Sequence, residues 1–269
     1  MGLDNISEIK KSVAFVFLID DQQKVEPFGT GFFIRVPQEH NPQRAVAYFV
    51  TAKHVLQDDV GEYRSKIVIR LNGVDGRTSY TVLTLQNHKI FTHEDPNVDI
   101  AVIPISLNSS IIDFKLIPSE VVATKDKIKQ LGIAEGYDVF FTGLFSSYVG
   151  QQRNQPITRF GKVALMPDER IEWKTQKDQP SKLMDLYLME CLSFSGNSGS
   201  PVFFNMAIGY LSDIYLAGIV MGSYHNIEIF AYDTFLKQNL GIVAVTPAYK
   251  LYDILFSKQV IDSRKITPK

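Results

Sequence analysis

The chain has 269 residues, of which 45% are apolar and 21% are charged, and its formal net charge is −1. This composition is close to that of globular proteins and is sufficient for a sizeable buried core, so disorder is not expected. A charge this close to zero gives no reason to expect a nucleic acid or an anionic membrane as partner. The only cysteine is Cys191, which excludes an internal disulfide and favours a reducing compartment.

The N-terminal region has some features of a signal peptide, because two lysines precede the apolar residues 12–19. That run is short and is followed by Asp20 and Asp21, without a small-residue cleavage site, so we interpret it as a buried strand. No apolar stretch approaches the ~20 residues that a membrane-spanning helix needs. Without a signal peptide or an internal disulfide, we expect a cytoplasmic protein.

Short β-type runs separated by turn residues dominate the chain and predict an all-β fold. In the first half, these runs are residues 12–19, 32–36, 45–50, 66–71 and 100–103. A polar, mixed segment at about residues 107–136 is typical of a connection between two units. The second half contributes residues 138–142, 161–165, 186–189, 201–204, 217–221 and 242–245. A doubly wound α/β sheet is excluded, because it needs long helices between its strands.

One helix is indicated near the C-terminus. Thr246 can cap it, and Pro247 suits its first helical position. Apolar and aromatic residues then recur at helical spacing as far as Phe256, so the helix is expected to end near residue 258. Residues 259–269 are expected to form a frayed tail.

The hexapeptide GNSGSP at residues 196–201 is the first candidate for chemistry. Glycines on both sides of Ser198 allow a tight turn that presents the serine hydroxyl and aims backbone N–H groups at one point, as an oxyanion hole requires. The donors would be the amides of Gly196 and Ser198, in a loop that includes Asn197. An ordinary Gly/Ser turn would contain the same residues, so the hexapeptide alone leaves that interpretation open.

A serine nucleophile needs a base, and His54 is the best placed of the five histidines. It follows an apolar strand, where an imidazole can face a cleft, whereas the other four lie in polar contexts. Asp99 begins another apolar strand, and a partly buried carboxylate is costly unless it is paired. Pairing would satisfy Asp99 and fix the tautomer of His54. Taken singly, His54 could be a structural histidine and Asp99 a turn residue.

Together these segments resemble the three catalytic boxes of the trypsin/chymotrypsin family. They are TAKH at residues 51–54, DIAV at 99–102 and GNSGSP at 196–201, in that family's order of His, Asp and Ser. FGTGFF at residues 28–33 resembles the Gly-x-Gly-Phe strand that precedes the histidine in bacterial HtrA-like members. Among members of this family, the chain most resembles HtrA-like peptidase domains without a PDZ domain.

The resemblance extends over nearly the whole chain. GKV at residues 161–163 resembles the opening of the second barrel, and AGIV at 217–220 resembles the strand that lines the specificity pocket. The implied fold consists of two six-stranded antiparallel β-barrels and a C-terminal helix. The first barrel would occupy residues 8–115, and the second barrel with its closing helix residues 137–258, leaving the intervening residues as the connection.

The activity implied by this resemblance is that of a serine endopeptidase. Ser198 would attack a peptide carbonyl, His54 would take its proton, and Asp99 would orient His54. The resemblance implies no metal or organic cofactor, and a protein or peptide substrate as partner. Control of the proteolytic activity would have to come from an unidentified regulatory protein or from a disordered oxyanion loop.

Two positions depart from the family pattern. Asn197 stands where zymogen-activated relatives have an Asp that pairs with a newly cut N-terminus. A neutral amide cannot form that ion pair, so we expect activity that does not depend on propeptide cleavage. Ser200 replaces the commoner Gly.

Substrate-binding residues are implied only by the resemblance. The strand edge that accepts an extended peptide would include Val220, Met221, Gly222 and Ser223. The base of the pocket for the residue before the cut falls on Leu192. Because no acid stands there, a basic residue is not favoured, and we expect a small or medium apolar one.

The residue pattern also allows two alternatives to be compared with this interpretation. An α/β-hydrolase needs Gly-x-Ser-x-Gly followed by a helix, whereas Ser200 breaks that motif and a strand is predicted after it. The alternative that stays open is an inactive or latent peptidase fold that serves as a protein-binding module.

Overall fold

The computed structural model describes residues 5–19, 24–39, 41–173, 181–208, 211–229 and 235–266. The first half consists of helix α1 (Ile6–Lys11) and strands β1 (Val13–Ile19), β2 (Val25–Gln38), β3 (Asn41–Thr51), β4 (Lys66–Asn72), β5 (Thr78–Thr84), β6 (Phe91–Thr92), β7 (Ala101–Ile105) and β8 (Ile117–Pro118). Short 3₁₀ turns follow β3 at Lys53–Leu56, β5 at Leu85–Asn87 and β8 at Ser119–Val121. The fold is therefore mostly β in this half, as predicted.

The second half begins after helix α2 (Lys125–Leu131), which lies within the predicted connection. Its strands are β9 (Asp138–Gly143), β10 (Ile157–Leu165), β11 (Ile171–Trp173), β12 (Lys182–Met184), β13 (Tyr187–Glu190), β14 (Pro201–Ile208), β15 (Leu211–Ile229) and β16 (Phe235–Pro247). Helices α3 (Ala248–Leu255) and α4 (Lys258–Ile266) follow. Every run predicted as a strand lies in or overlaps an observed strand.

Six strands of the second half close into an antiparallel barrel in the order β10-β13-β16-β15-β14-β9. Its interior is filled by buried side chains such as Phe141, Met189 and Val243. The hairpin of β11 and β12 forms a separate two-stranded sheet. The predicted second barrel is therefore confirmed.

The first half differs from the expected barrel. Its antiparallel strands form an open sheet in the order β5-β4-β1-β2-β3-β7-β6, with β8 pairing in parallel with β2. Closure would require β5 to pair with β6, but β6 has only two residues and the turn at Leu85–Asn87 separates the two strands. In the described part of the chain, no ladder of hydrogen bonds joins these edges.

The C-terminal helix is confirmed as α3, although Pro247 occupies its N-cap and the side chain of Thr246 does not cap it. Residues from 259 onward, predicted to fray, instead continue as α4 up to Ile266, and residues 267–269 lie outside the described ranges. This helix is held because Val260 is fully buried and the Arg264 guanidinium donates to the carbonyl of Leu255 at 2.8 Å.

A shared apolar core joins the two halves and the C-terminal helices. It includes Phe32 and Tyr48 from the first half, Phe140 and Phe203 from the barrel, and Val260 from α4. Because burial of apolar surface is the main stabilising contribution to a fold, this core fixes how the halves meet. Among the described helices, none is long and apolar enough to cross a membrane.

The anchoring of α4 can be tested by truncating its buried side chain. Val260→Ala removes two methyl groups from a fully buried position, so the free energy of unfolding should fall by about 2 kcal/mol in urea denaturation. The neighbouring Gln259 is exposed, and Gln259→Ala should change stability by less than about 0.5 kcal/mol. Equal effects of the two substitutions would mean that α4 does not pack in solution.

Candidate active site

His54 and Asp99 form a hydrogen-bonded pair at the end of the first half's sheet. β3 ends at Thr51, and the 3₁₀ turn that follows carries His54 over the start of the segment leading into β7. The imidazole Nδ1–H donates to Asp99 Oδ2 at 2.6 Å, and the backbone N–H of His54 donates to Asp99 Oδ1 at 2.9 Å. The carboxylate therefore holds both the ring and the backbone of His54.

The two groups shift each other's pKa in opposite directions. Burial disfavours the imidazolium, but attraction to Asp99 and the hydrogen bond outweigh it and raise the pKa of His54 above 6.5. Burial would raise the pKa of Asp99, yet attraction to His54 and the accepted hydrogen bonds lower it below 3.8. Asp99 is only 8% exposed, and its lowered pKa keeps it ionised beside a ring that can take up a proton.

Lys53 braces the segment that precedes Asp99. Its ammonium donates to the carbonyl of Pro96 at 2.7 Å, which ties the turn after β3 to the turn before β7. Burial lowers the pKa of Lys53, although the nearby carboxylate of Asp99 opposes this shift. The residue next to the histidine thus helps to set the distance between His54 and Asp99.

Ser198 lies in a loop that packs between β2 and β15. The amide of Thr30 donates to the Ser198 carbonyl at 2.8 Å, and the amide of Gly199 donates to the Val220 carbonyl at 2.8 Å. Gly199 has a φ of +86°, and a Cβ there would collide with the Thr30 carbonyl oxygen. Only glycine suits this position, because both the backbone angle and the space exclude a side chain.

The hydroxyl of Ser198 donates to the Met221 carbonyl at 3.1 Å. In the described residues, no hydrogen bond joins it to His54. Met221 also lines one cavity of about 120 Å³ together with His54 and Asp99, whereas Ser198 is not among the residues that line it. The structure thus pairs His54 with Asp99, and in the described part of the chain no hydrogen bond connects this pair to Ser198.

The candidate oxyanion donors have no acceptor. Across the ranges that the structure describes, the amides of Gly196 and Ser198 donate to no protein group. The amide of Asn197 differs, because it donates to the Phe194 carbonyl at 3.1 Å. Asn197 was included in the predicted oxyanion hole, but its N–H closes a turn and is not free to bind a ligand.

The side chain of Asn197 has a different role from its backbone amide. It is 1% exposed, accepts from the amide of Phe194 at 2.7 Å and donates to the carbonyl of Leu144 at 2.6 Å. Both ends of the amide are therefore used to hold the loop. Ser200, the second departure from the family pattern, is fully buried against Gly143, where a Cβ would collide with the serine hydroxyl.

The residues predicted to bind substrate fall into two groups. Val220 is buried, and both its N–H and its carbonyl are bonded to the serine loop, so its backbone is not available to a substrate. Beyond it, the described residues pair β15 only with β16, because the pairing with β14 ends at Ile219. Met221, Gly222 and Ser223 therefore lie on an edge of β15 that has no strand partner in the described ranges, although Met221 is buried and its carbonyl accepts from Ser198. Leu192, which was expected at the base of the pocket for the residue before the cut, is 51% exposed.

Sequence patterns did not point to Trp173, which lies against this open edge. A Cβ at Gly222 would be 3.2 Å from the Trp173 ring, and the ring packs edge-on to Tyr224 with centroids 4.8 Å apart. The one signal was that Trp173 is the only tryptophan of the chain. The hydroxyl of Thr30 was also missed, although its motif was singled out.

Comparison with known proteins finds similar solved structures but no matching sequence family. No protein-family model matches the chain, and no curated protein matches it. A crystal structure of Rv3671c from M. tuberculosis H37Rv, an inactive form of a serine-to-alanine mutant, matches with a TM-score of 0.49 and 16% identity, over 93% of this chain and 88% of that one. A second, of the inactive form of Rv3671c protease, has a TM-score of 0.47 and 15% identity, over 93% and 90%.

The coupling of His54 and Asp99 predicts the direction in which the pKa of His54 is shifted, in the native protein and in a variant that lacks the Asp99 charge. In the native protein, NMR should give His54 a pKa above 6.5, because Asp99 stabilises the imidazolium. In Asp99→Asn that attraction is lost while burial persists, so the pKa should fall below 6.5. Asp113→Asn, which removes a carboxylate paired with Lys11 and Arg153, should leave the titration of His54 unchanged. A native pKa below 6.5 would contradict the coupling.

Proposed function

We propose that this chain is a serine endopeptidase that hydrolyses peptide bonds through Ser198, His54 and Asp99. The observation that carries the proposal is the His54–Asp99 pair. A buried carboxylate is bonded to both the ring and the backbone of a partly exposed histidine, and the pair shares a cavity with Met221, whose carbonyl accepts from the Ser198 hydroxyl. Such an arrangement activates a hydroxyl nucleophile.

In the proposed reaction, His54 acts first as a base. The Ser198 hydroxyl turns from the Met221 carbonyl toward His54 Nε2, which takes its proton while Oγ bonds to the substrate carbonyl carbon. Asp99 stabilises the imidazolium that forms. The pKa of His54 lies above 6.5, so His54 is protonated at pH values below its pKa. The neutral base accumulates only as the pH rises through the pKa. Activity should therefore increase with pH above 6.5.

The developing oxyanion needs donors that are not engaged elsewhere. The amides of Gly196 and Ser198 meet this requirement, and each such donor lowers a barrier by about 3 kcal/mol on precedent. As the tetrahedral intermediate collapses, the imidazolium returns its proton to the leaving amine and the C–N bond breaks. Water, deprotonated by His54, then attacks the acyl carbon, the ester C–O bond breaks, and the imidazolium returns its proton to Ser198 Oγ. This sequence calls for no metal or organic cofactor.

The proposed substrate is an extended protein or peptide segment. It would add to the open edge of β15 at Met221, Gly222 and Ser223, through backbone hydrogen bonds. A small or medium apolar residue before the cut suits the uncharged Leu192. Profiling with a peptide library measures this preference directly.

One observation favours a second candidate, a latent peptidase fold that binds proteins without cleaving them. The Ser198 hydroxyl is bonded to the Met221 carbonyl, and that bond would have to break before reaction. However, catalytic hydrogen bonds are often long or misaligned without substrate, so this bond is compatible with a reactive serine. The endopeptidase is therefore the better supported of the two.

Covalent labelling separates the candidates. The native protein should react with a fluorophosphonate at Ser198 and should cleave casein. Ser198→Ala should lose labelling and lower turnover by about 10⁶-fold. Ser195→Ala alters an exposed serine of the same segment and should retain both signals. A folded native protein that is neither labelled nor active would favour the latent binding module.

The interactions of Asn197 support the proposal that activity does not require a newly formed N-terminus. Its Nδ2 donates to the Leu144 carbonyl, which a carboxylate in its place could not satisfy. Asn197→Asp should therefore lower kcat by at least about tenfold, because it leaves a buried carbonyl facing a negative charge. The exposed Asn87 offers a matched control, and Asn87→Asp should leave kcat unchanged. Unaltered kcat in Asn197→Asp would refute this role.

A further inference from the structure

The hydroxyl of Thr30 connects β2 of the first half to two segments of the second half. Thr30 is fully buried, and its Oγ1 donates to the Gly196 carbonyl at 2.7 Å. The same oxygen accepts from the amide of Leu144 at 2.9 Å. A hydroxyl has one hydrogen to donate and lone pairs to accept with, so it makes both bonds at once.

The first of these bonds acts on the peptide between the two candidate oxyanion donors. The Gly196–Asn197 peptide has the Gly196 amide on one side and the Ser198 amide on the other. Its carbonyl is held by Thr30, and its N–H is bonded to the Phe194 carbonyl. Hydrogen bonds therefore fix this peptide plane at both its carbonyl and its N–H. The bond to the carbonyl comes from Thr30, in the other half of the protein.

The second bond acts through Leu144. Its amide donates to Thr30 and its carbonyl accepts from Asn197, so both backbone groups of Leu144 serve the serine loop. Its side chain is fully buried in a cluster with Phe15 and Phe17 of β1. Leu144 thus packs its side chain against β1 of the first half, and its backbone is bonded to the loop that carries Ser198.

We propose that the Thr30 hydroxyl is a positioning group that holds the oxyanion loop in its catalytic geometry. This proposal rests on the proposed endopeptidase function. Thr30 does not touch the reacting atoms, and it acts through the Gly196 carbonyl and the Leu144 amide. It explains why a polar residue is fully buried between Gly29 and Gly31, where a chain of apolar β residues would otherwise be expected.

An isosteric substitution separates the hydroxyl from its shape. Thr30→Val leaves a buried carbonyl and a buried N–H without partners, and the loop must rearrange to satisfy them. The donors would then leave the position of the oxyanion, while the substrate edge at Met221–Ser223 is untouched. We expect kcat to fall at least about tenfold and KM to change by less than about twofold. Thr30→Ser keeps the hydroxyl and should restore most of kcat.

A matched control removes a buried hydroxyl elsewhere. Thr142 is also fully buried, and its Oγ1 donates to the Ile157 carbonyl at 3.0 Å within the barrel. Thr142→Val should lower the melting temperature by an amount similar to Thr30→Val, but it should leave kcat unchanged. A loss of kcat in both variants would indicate general destabilisation and would overturn the proposal.

Hydrogen exchange gives a readout that does not depend on activity. The hydrogen-bonded amides of Phe194, Asn197 and Gly199 should exchange at least about tenfold faster in Thr30→Val than in the native protein, and at the native rate in Thr142→Val. If Thr30→Val does not fold, Thr30→Ala, which removes the hydroxyl without overpacking, is measured in its place. Native exchange in the variant, or no recovery in Thr30→Ser, would overturn the proposal. An inactive native protein would instead refute the endopeptidase, and exchange would still decide the role of Thr30.

Discussion

The close contact of β2 with the serine loop is the constraint on which the rest of the site depends. The Thr30 amide donates to the Ser198 carbonyl at 2.8 Å, and the Thr51 hydroxyl donates to the Thr30 carbonyl at 2.6 Å. Gly199 permits this approach because any side chain there would collide with β2. β3 pairs with β2 and ends just before His54, so the strand that contacts the serine loop is hydrogen-bonded to the strand that leads to the imidazole.

Electrostatics then determine what the cleft can do. Asp99 is buried and ionised because its two hydrogen bonds to His54 and the attraction between them offset the cost of burial. The same attraction makes His54 a stronger base than a free imidazole. The Ser198 hydroxyl donates to the Met221 carbonyl, so this bond has to break before the proposed attack.

The fold was predictable where local patterns decide it. Alternating and apolar runs bounded by turn residues identified the main strands, because side-chain period and burial are properties of a few neighbouring residues. The open sheet was not predictable, since closure depends on β6, whose two residues show no pattern. The helix α4 was missed for a similar reason, as its stability comes from Val260 in a core shared by both halves.

At the site, the sequence by itself determined the three candidate residues of the proposed chemistry, because His54, Asp99 and Ser198 each stand in a local motif at a strand end or a glycine turn. Only the tertiary structure decided how the loop is held. Thr30 bonds to Gly196, 166 residues away, and Leu144 bonds to Thr30, 114 residues away. Such contacts form when two halves of the chain meet, so no local pattern of residues records them.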